Sequence, residues 1–166
     1  PLVDMTIVSV NVNSLTCHIE WLAARKEDVV IITETRCDKA KQIQMQQLVH
    51  GRAWFWSRPQ GKDATGRRVR QGGVCLAVLD KWNCSKADFP RLEKWVDDGR
   101  FVAARIFEPQ GDQSKIIAAT YFDINSKNRR EQMAKEIFEE IAGRGSVPTV
   151  IGGDWNDKLE DLEAWR

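Results

Sequence analysis

No stretch of this 166-residue sequence approaches the ~20 consecutive apolar residues needed to span a bilayer. Its four cysteines, Cys17, Cys37, Cys75 and Cys84, form no CxxC pair, and only His18 and His50 accompany them. The ligand spacing of a structural zinc site is therefore absent. Charge of one sign is lacking too: Lys and Arg total 25 against 24 Asp and Glu, a net charge of +1. A polyanionic partner would have to be met by a local patch and not by the field of the whole protein. There is no repeat, low-complexity tract, linker or signal peptide, which points to a reduced, intracellular setting.

What is present reads as one α/β domain over 1–166, with a mixed β-sheet flanked by helices. "MTIVSVNV" alternates like a strand and ends at Asn11 and Asn13. Residues 16–26 carry Ile19, Leu22 and Ala23 at helical spacing, with Thr16 as a cap. "DVVIIT" has the unbroken apolar run of a strand covered on both faces, and it stops at Glu34. This order predicts a βαβ unit with a parallel pair. Downstream, 39–50 reads as a polar helix, and "RAWFWSRP" and "GGVCLAVLD" as strands. "DGRFVAARIFE" and "SKIIAATYFD" read as a hairpin across "PQGDQ". A long helix follows, striped by Met133, Ile137, Phe138 and Ile141 and ended at Gly143 or Gly145. "VPTVIGGD" is the last strand.

The strands end in polar residues: Asn11 and Asn13, Glu34, Tyr121, then Asp154 and Asn156. Open α/β sheets bind ligands at the carboxyl ends of their strands. Carboxylates and amides without sulfur suit Mg²⁺, which takes one or two carboxylates and completes its shell with water and substrate phosphate. Singly, each residue also has a plain reading. Glu34 can cap a buried strand, Asn11 and Asn13 can form turns, Tyr121 can be a half-buried strand aromatic, and Asp154 can cap a helix. The Trp54-Phe55-Trp56 cluster reads as core.

Taken in order, "NVNSL", "ITET", "QGGVCLAV", "TYFD" and "GGDWND" resemble the successive signatures of the endonuclease/exonuclease/phosphatase superfamily. Within it the pattern is most similar to the apurinic-type endonucleases of non-LTR retrotransposons. The resemblance implies the first half of a four-layer α/β sandwich and Mg²⁺-dependent phosphodiester hydrolysis, with Mn²⁺ as the alternative ion. DNA is the implied partner, with nicking for a mobile element in a nuclear setting. It further implies that Glu34 binds the metal, that Asn11 holds the metal–phosphate cluster, and that Tyr121 supports charge on the phosphate. By the same token Asp154 activates the water with Asn156 beside it, and Asn13 matches more loosely as a nucleic-acid contact.

Two departures stand out. The family's tyrosine is usually followed by proline and asparagine, whereas "TYFDIN" has no proline and places Asn125 one position late. The family's C-terminal "SDH" motif is absent. These departures lead us to expect a bare sheet face, covered by a missing C-terminal segment or by a second chain. They also keep two alternatives open, a non-catalytic nucleic-acid or protein-binding remnant and a phosphoesterase acting on a small phosphoester. The loop "GKDATGRRVRQ" offers Arg67, Arg68 and Arg70 either as a solvated charge run or as a backbone-phosphate contact. For the second reading, the Arg67→Ala, Arg68→Ala, Arg70→Ala triple variant should lower the slope of log affinity for duplex DNA against log salt by about two to three. Fluorescence anisotropy across a salt series measures that slope, and an unchanged value rules the contact out.

Overall fold

The computed structural model describes residues 4–59, 61, 72–108, 113–145 and 147–156. In the first half, strands β1 (Ile7–Asn11), β2 (Val29–Thr33), β3 (Arg52–Trp56) and β4 (Val74–Leu79) form a sheet in the order β1-β2-β4-β3. The β1/β2 pair is parallel, as the βαβ reading requires, and β4 runs antiparallel to both its neighbours. The crossover is shorter in helix than expected, a 3₁₀ turn (Leu15–His18) followed by α1 (Ile19–Ala23). Thr16 does not cap it; Ser14 stands at the N-cap without a side-chain hydrogen bond.

Strands β5 (Asn83–Lys86), β6 (Phe101–Phe107), β7 (Ser114–Tyr121) and β8 (Thr149–Asp154) form a second sheet in that order. The expected hairpin is the antiparallel β6/β7 pair, and β8 lies parallel to β7. The sequence gives little sign of β5, because Asn83, Ser85 and Lys86 on this edge strand are exposed and carry no apolar alternation. The same holds for α3 (Glu93–Asp97), which is too short to show a stripe.

Period-two alternation builds the layers. On β2, Val29 and Ile31 face the second sheet, where they meet Val102, Ala104, Ile106, Ile117 and Ala119. Val30 and Ile32 point the other way, onto Leu15, Leu22 and the Met45 of α2 (Lys39–Leu48). The outer face of the second sheet, with Phe101, Ala103, Ile116 and Ala118, is covered by Leu92, Trp95 and the Met133, Ala134 and Ile137 of α4 (Lys127–Ala142). Each fully buried Ile or Leu contributes about 1.5–3 kcal/mol. No described helix is long and apolar enough to cross a membrane.

The expected α/β architecture is thus present, but the expected bare sheet face is not. This stretch of chain supplies strands to both sheets, and they cover one another's inner faces. The edge strands are β1 and β3 in the first sheet and β5 and β8 in the second, and β1 and β8 lie next to each other. The double glycine of β8 fits this geometry. A Cβ on Gly152 would come within 2.5 Å of Ile31 Cδ1, so the missing side chain lets the sheets close up there. Gly153 has φ +146°, and a Cβ on it would sit 1.9 Å from the Thr120 carbonyl oxygen, where no side-chain motion relieves the clash. Gly153→Ala should therefore cost about 2–4 kcal/mol, against about 1 kcal/mol for Gly51→Ala, where φ is also positive but no atom lies near. Urea denaturation separates the two, and equal midpoints would show that β8 tolerates the side chain.

Candidate active site

The carboxyl ends of β1, β2, β7 and β8 meet at one end of the sandwich. β1 ends at Asn11 opposite Thr33 of β2, and Tyr121 of β7 is in register with Asp154 of β8. The Asn11 Nδ2 donates to Glu34 Oε1 at 3.2 Å and to Asp154 Oδ2 at 2.8 Å. Its Oδ1 accepts from the Asn13 backbone N–H at 3.1 Å, which fixes the amide with its NH₂ toward the acids. The Tyr121 phenol faces Glu34 from the core, where the residue is 2% exposed. Four of the residues expected from sequence, Asn11, Glu34, Tyr121 and Asp154, are therefore brought together.

The others take different places. Asn156 turns its Nδ2 to the Phe122 carbonyl at 2.8 Å, bracing the turn after β8 and not joining the acid cluster. The Asn13 side chain makes no hydrogen bond among the described residues, and its backbone serves Asn11. Arg67, Arg68 and Arg70 lie outside the described residues. Asn125 is exposed beyond β7, and its N–H caps Asp123 Oδ1 at 2.8 Å. The departure from the family's proline-asparagine pattern thus leaves an Asx turn at this strand end. "NVN", "DIN" and "DWN" close three strand ends in the same way, each with the first side chain accepting from the backbone N–H two residues on.

The loop carrying Glu34 is stitched from both sides. Leu15 N–H donates to the Thr35 carbonyl, while Thr35 and Arg36 N–H groups reach the Gly73 and Gly72 carbonyls. That explains the "QGGV" motif, because both glycines have positive φ, 93° and 86°. Asp154 is aimed by its neighbour: Trp155 packs edge-on against Phe122, centroids 4.8 Å apart, on the opposite face of the strand.

Two residues that sequence reasoning missed surround the cluster. Arg36 donates from Nη2 to Glu34 Oε2 at 2.8 Å, while its Nε is buried without a partner. Arg100 places its guanidinium 5.3 Å from the Tyr121 ring centroid. The available signals are an arginine two residues beyond the acid of "ITET", and an arginine directly before the apolar strand "FVAARIF". Burial would raise the Glu34 pKa, but hydrogen bonds from Asn11 and Arg36 and the Arg36 charge hold it below the usual carboxylate value. Tyr121 moves the other way, raised by burial and by the Glu34 carboxylate, with Arg100 opposing.

The Glu34 and Asp154 carboxylates are hard oxygen donors of the kind that suits a divalent cation such as Mg²⁺, while the Asn11 amide turns its NH₂ toward them and its oxygen to Asn13. Among the described residues no three His, Cys, Asp or Glu side chains cluster, so such an ion would rest on few protein carboxylates, with Glu34 the one expected from sequence.

No family model and no curated protein matches the sequence. Solved structures do match. The chain is similar to the catalytic domain of Xenopus laevis APE2, with 17% identity, a TM-score of 0.66, and 92% of this chain matched over 59% of that one. For the endonuclease domain of TRAS1, a telomere-specific non-LTR retrotransposon, the figures are 16%, 0.58, 93% and 60%. For a mannosyl-6-phosphatase of Bacteroides thetaiotaomicron they are 17%, 0.70, 98% and 70%. The chain has the endonuclease/exonuclease/phosphatase fold. It spans about three-fifths of the length of the first two.

The Arg36 contact makes a prediction for the metal. A guanidinium on Glu34 would compete with a divalent cation for the same carboxylate, so Arg36→Ala should bind Mn²⁺ about tenfold more tightly than the wild type. Titration followed by the electron paramagnetic resonance signal of free Mn²⁺ reads this directly. Equal affinities would remove Arg36 from the competition.

Proposed function

We propose that this chain is a metal-dependent phosphodiesterase domain that nicks DNA, as in a retrotransposon-type protein. The observation that carries the reading is the single Asn11 amide held between Glu34 and Asp154, with Tyr121 beside them. That arrangement sets an acid to hold a cation, an acid to take a proton, and a phenol donor around one small volume. When bound, Mg²⁺ or Mn²⁺ on Glu34 supplies positive charge to the phosphate and to the departing 3′-oxygen.

The chain's own residues do the rest. Asp154 Oδ1 and Oδ2 are held by the Asn156 N–H and the Asn11 amide, which leaves remaining lone pairs to orient a water and accept its proton. As the water oxygen forms its bond to phosphorus, the P–O3′ bond breaks in line, and the 3′-oxygen takes a proton from solvent. The Tyr121 hydroxyl, kept protonated by its raised pKa, turns its one proton from Glu34 toward a non-bridging oxygen as charge develops there. Asn13, Arg67, Arg68 and Arg70 are proposed contacts to the flanking backbone. The open β1 and β8 edges are where a further segment or a second chain would extend the sheets.

The similarity to a mannosyl-6-phosphatase supports a second reading, a small phosphoester as substrate. Supercoiled plasmid with Mg²⁺, run beside mannose 6-phosphate with phosphate release measured, discriminates them. Nicking by the wild type, lost in a Glu34→Ala, Asp154→Ala double variant by at least about 10³-fold, is the expected result. Phosphate release without nicking would favour the small phosphoester. Neither activity in a folded sample that binds DNA would favour a binding remnant.

A further inference from the structure

We propose that Arg100 is a positioning residue for Tyr121, holding the ring on the Glu34 side of the site; this rests on Tyr121 being the phosphate-facing donor. The Arg100 side chain is only 11% exposed, and each of its nitrogens has a partner. Nε donates to Asp98 at 2.9 Å, Nη2 pairs with Asp123 at 3.4 Å, and Nη1 donates to the Tyr121 carbonyl at 3.3 Å. These polar contacts are thus all made within the protein. The guanidinium carbon lies over the phenol ring, 5.3 Å from its centroid, and the Tyr121 N–H returns a hydrogen bond to the Arg100 carbonyl at 2.9 Å. Arg100 thus grips Tyr121 at backbone and ring together.

The grip is itself held. Arg129 of α4 donates to the same two acids, to Asp98 at 2.7 Å and Asp123 at 3.0 Å, and stacks 5.5 Å from the Trp95 ring centroid. Two arginines and two aspartates balance in formal charge, so the network brings no net charge to the site. Its contribution is geometric: a chain of contacts from the α3–α4 surface to the one phenol of the site. A guanidinium can do this where an ammonium cannot, because only the planar fork stacks on a ring while donating in three directions.

Tyr121 is the only tyrosine of the chain, so 3-fluorotyrosine labelling gives one ¹⁹F signal that reports this ring alone. In Arg100→Ala the line should shift and broaden, with Arg100→Lys restoring it only in part. On a fluorescent duplex with one cleavable site, Arg100→Ala should lower kcat about 10- to 100-fold with KM within about threefold. Made on top of Tyr121→Phe, the same substitution should cost less than about threefold, because its route of action is already gone. Thermal melting identifies any variant that has unfolded, and Arg100→Lys then supplies the comparison. An unmoved ¹⁹F line in folded Arg100→Ala, or a full additional loss in the Tyr121→Phe background, overturns the proposal. A wild type that cleaves no phosphodiester while its ¹⁹F line still depends on Arg100 overturns the hydrolase reading and leaves the ordering of Tyr121 standing.

Discussion

The Asn11 amide carries more of this structure than its size suggests. It is the side-chain link between the edge strand of the first sheet and that of the second, joining residues 143 positions apart. Apolar packing between the sheets is non-directional and would tolerate small sliding motions. A hydrogen bond of 2.8 Å to a carboxylate does not, because charge-assisted bonds are short and angle-dependent. The same amide also separates two acids that would otherwise repel, giving each a donor. If Asn11 were replaced by an apolar residue, β1 and β8 would still stack, but Glu34 and Asp154 would lose their common reference point.

Holding side chains at strand ends has a conformational cost, and it is concentrated. Among the described residues, five non-glycine residues have positive φ: Asn13, Ser14, Glu34, Arg36 and Asn156. All five lie in the loops that follow β1, β2 and β8. Backbone of this kind costs about 1–3 kcal/mol per residue, less for Asn. Local hydrogen bonds offset it. Asn13 and Asn156 are each drawn into the left-handed region by the side chain two residues earlier, while Arg36 is tied to the Gly72 carbonyl. The two glycines of "QGGV" therefore matter less for their own turn than for the acceptors they present to the Glu34 loop. The core holds the sheets, and the strained turns aim the site.

How much of this was legible in the sequence follows from how local each feature is. The strands β1, β2, β4, β6, β7 and β8 and the helix α4 were legible because each carries its own alternation or stripe. The convergence of Asn11, Glu34, Tyr121 and Asp154 was legible because all four terminate apolar runs, a pattern that needs no tertiary knowledge. Arg36 and Arg100 were not, because a charged residue beside a strand end looks the same whether it meets solvent, an acid or a ring. The interleaving of the two sheets was also hidden. Nothing local distinguishes β4, which pairs between β2 and β3, from β5, which begins the other sheet after only Asp80, Lys81 and Trp82. Trp82 marks that switch in the structure, its Nε1 donating 3.0 Å to the buried Asp28 that also accepts from Thr6.

The charges at the site have a further consequence. Glu34 and Asp154 stand at the mouth, and among the described residues the neighbouring arginines are already committed, Arg36 to Glu34 and Arg100 to Asp98 and Asp123. In the proposed reaction, a mouth with this balance would have little attraction for a phosphodiester until a cation of higher charge displaced the Arg36 contact. The protonation states are arranged to allow it. Glu34 is stabilised as a carboxylate and stays ionised below neutral pH, while Tyr121 is stabilised as a phenol and stays protonated above it. Each state supports the other, since the phenol donates toward the carboxylate that raises its pKa. Over the whole neutral range the site therefore presents one charge pattern, an acid ready for a cation beside a donor ready for an oxyanion. In the proposed reaction, substrate affinity is then set by occupancy of Glu34 and not by titration of either group.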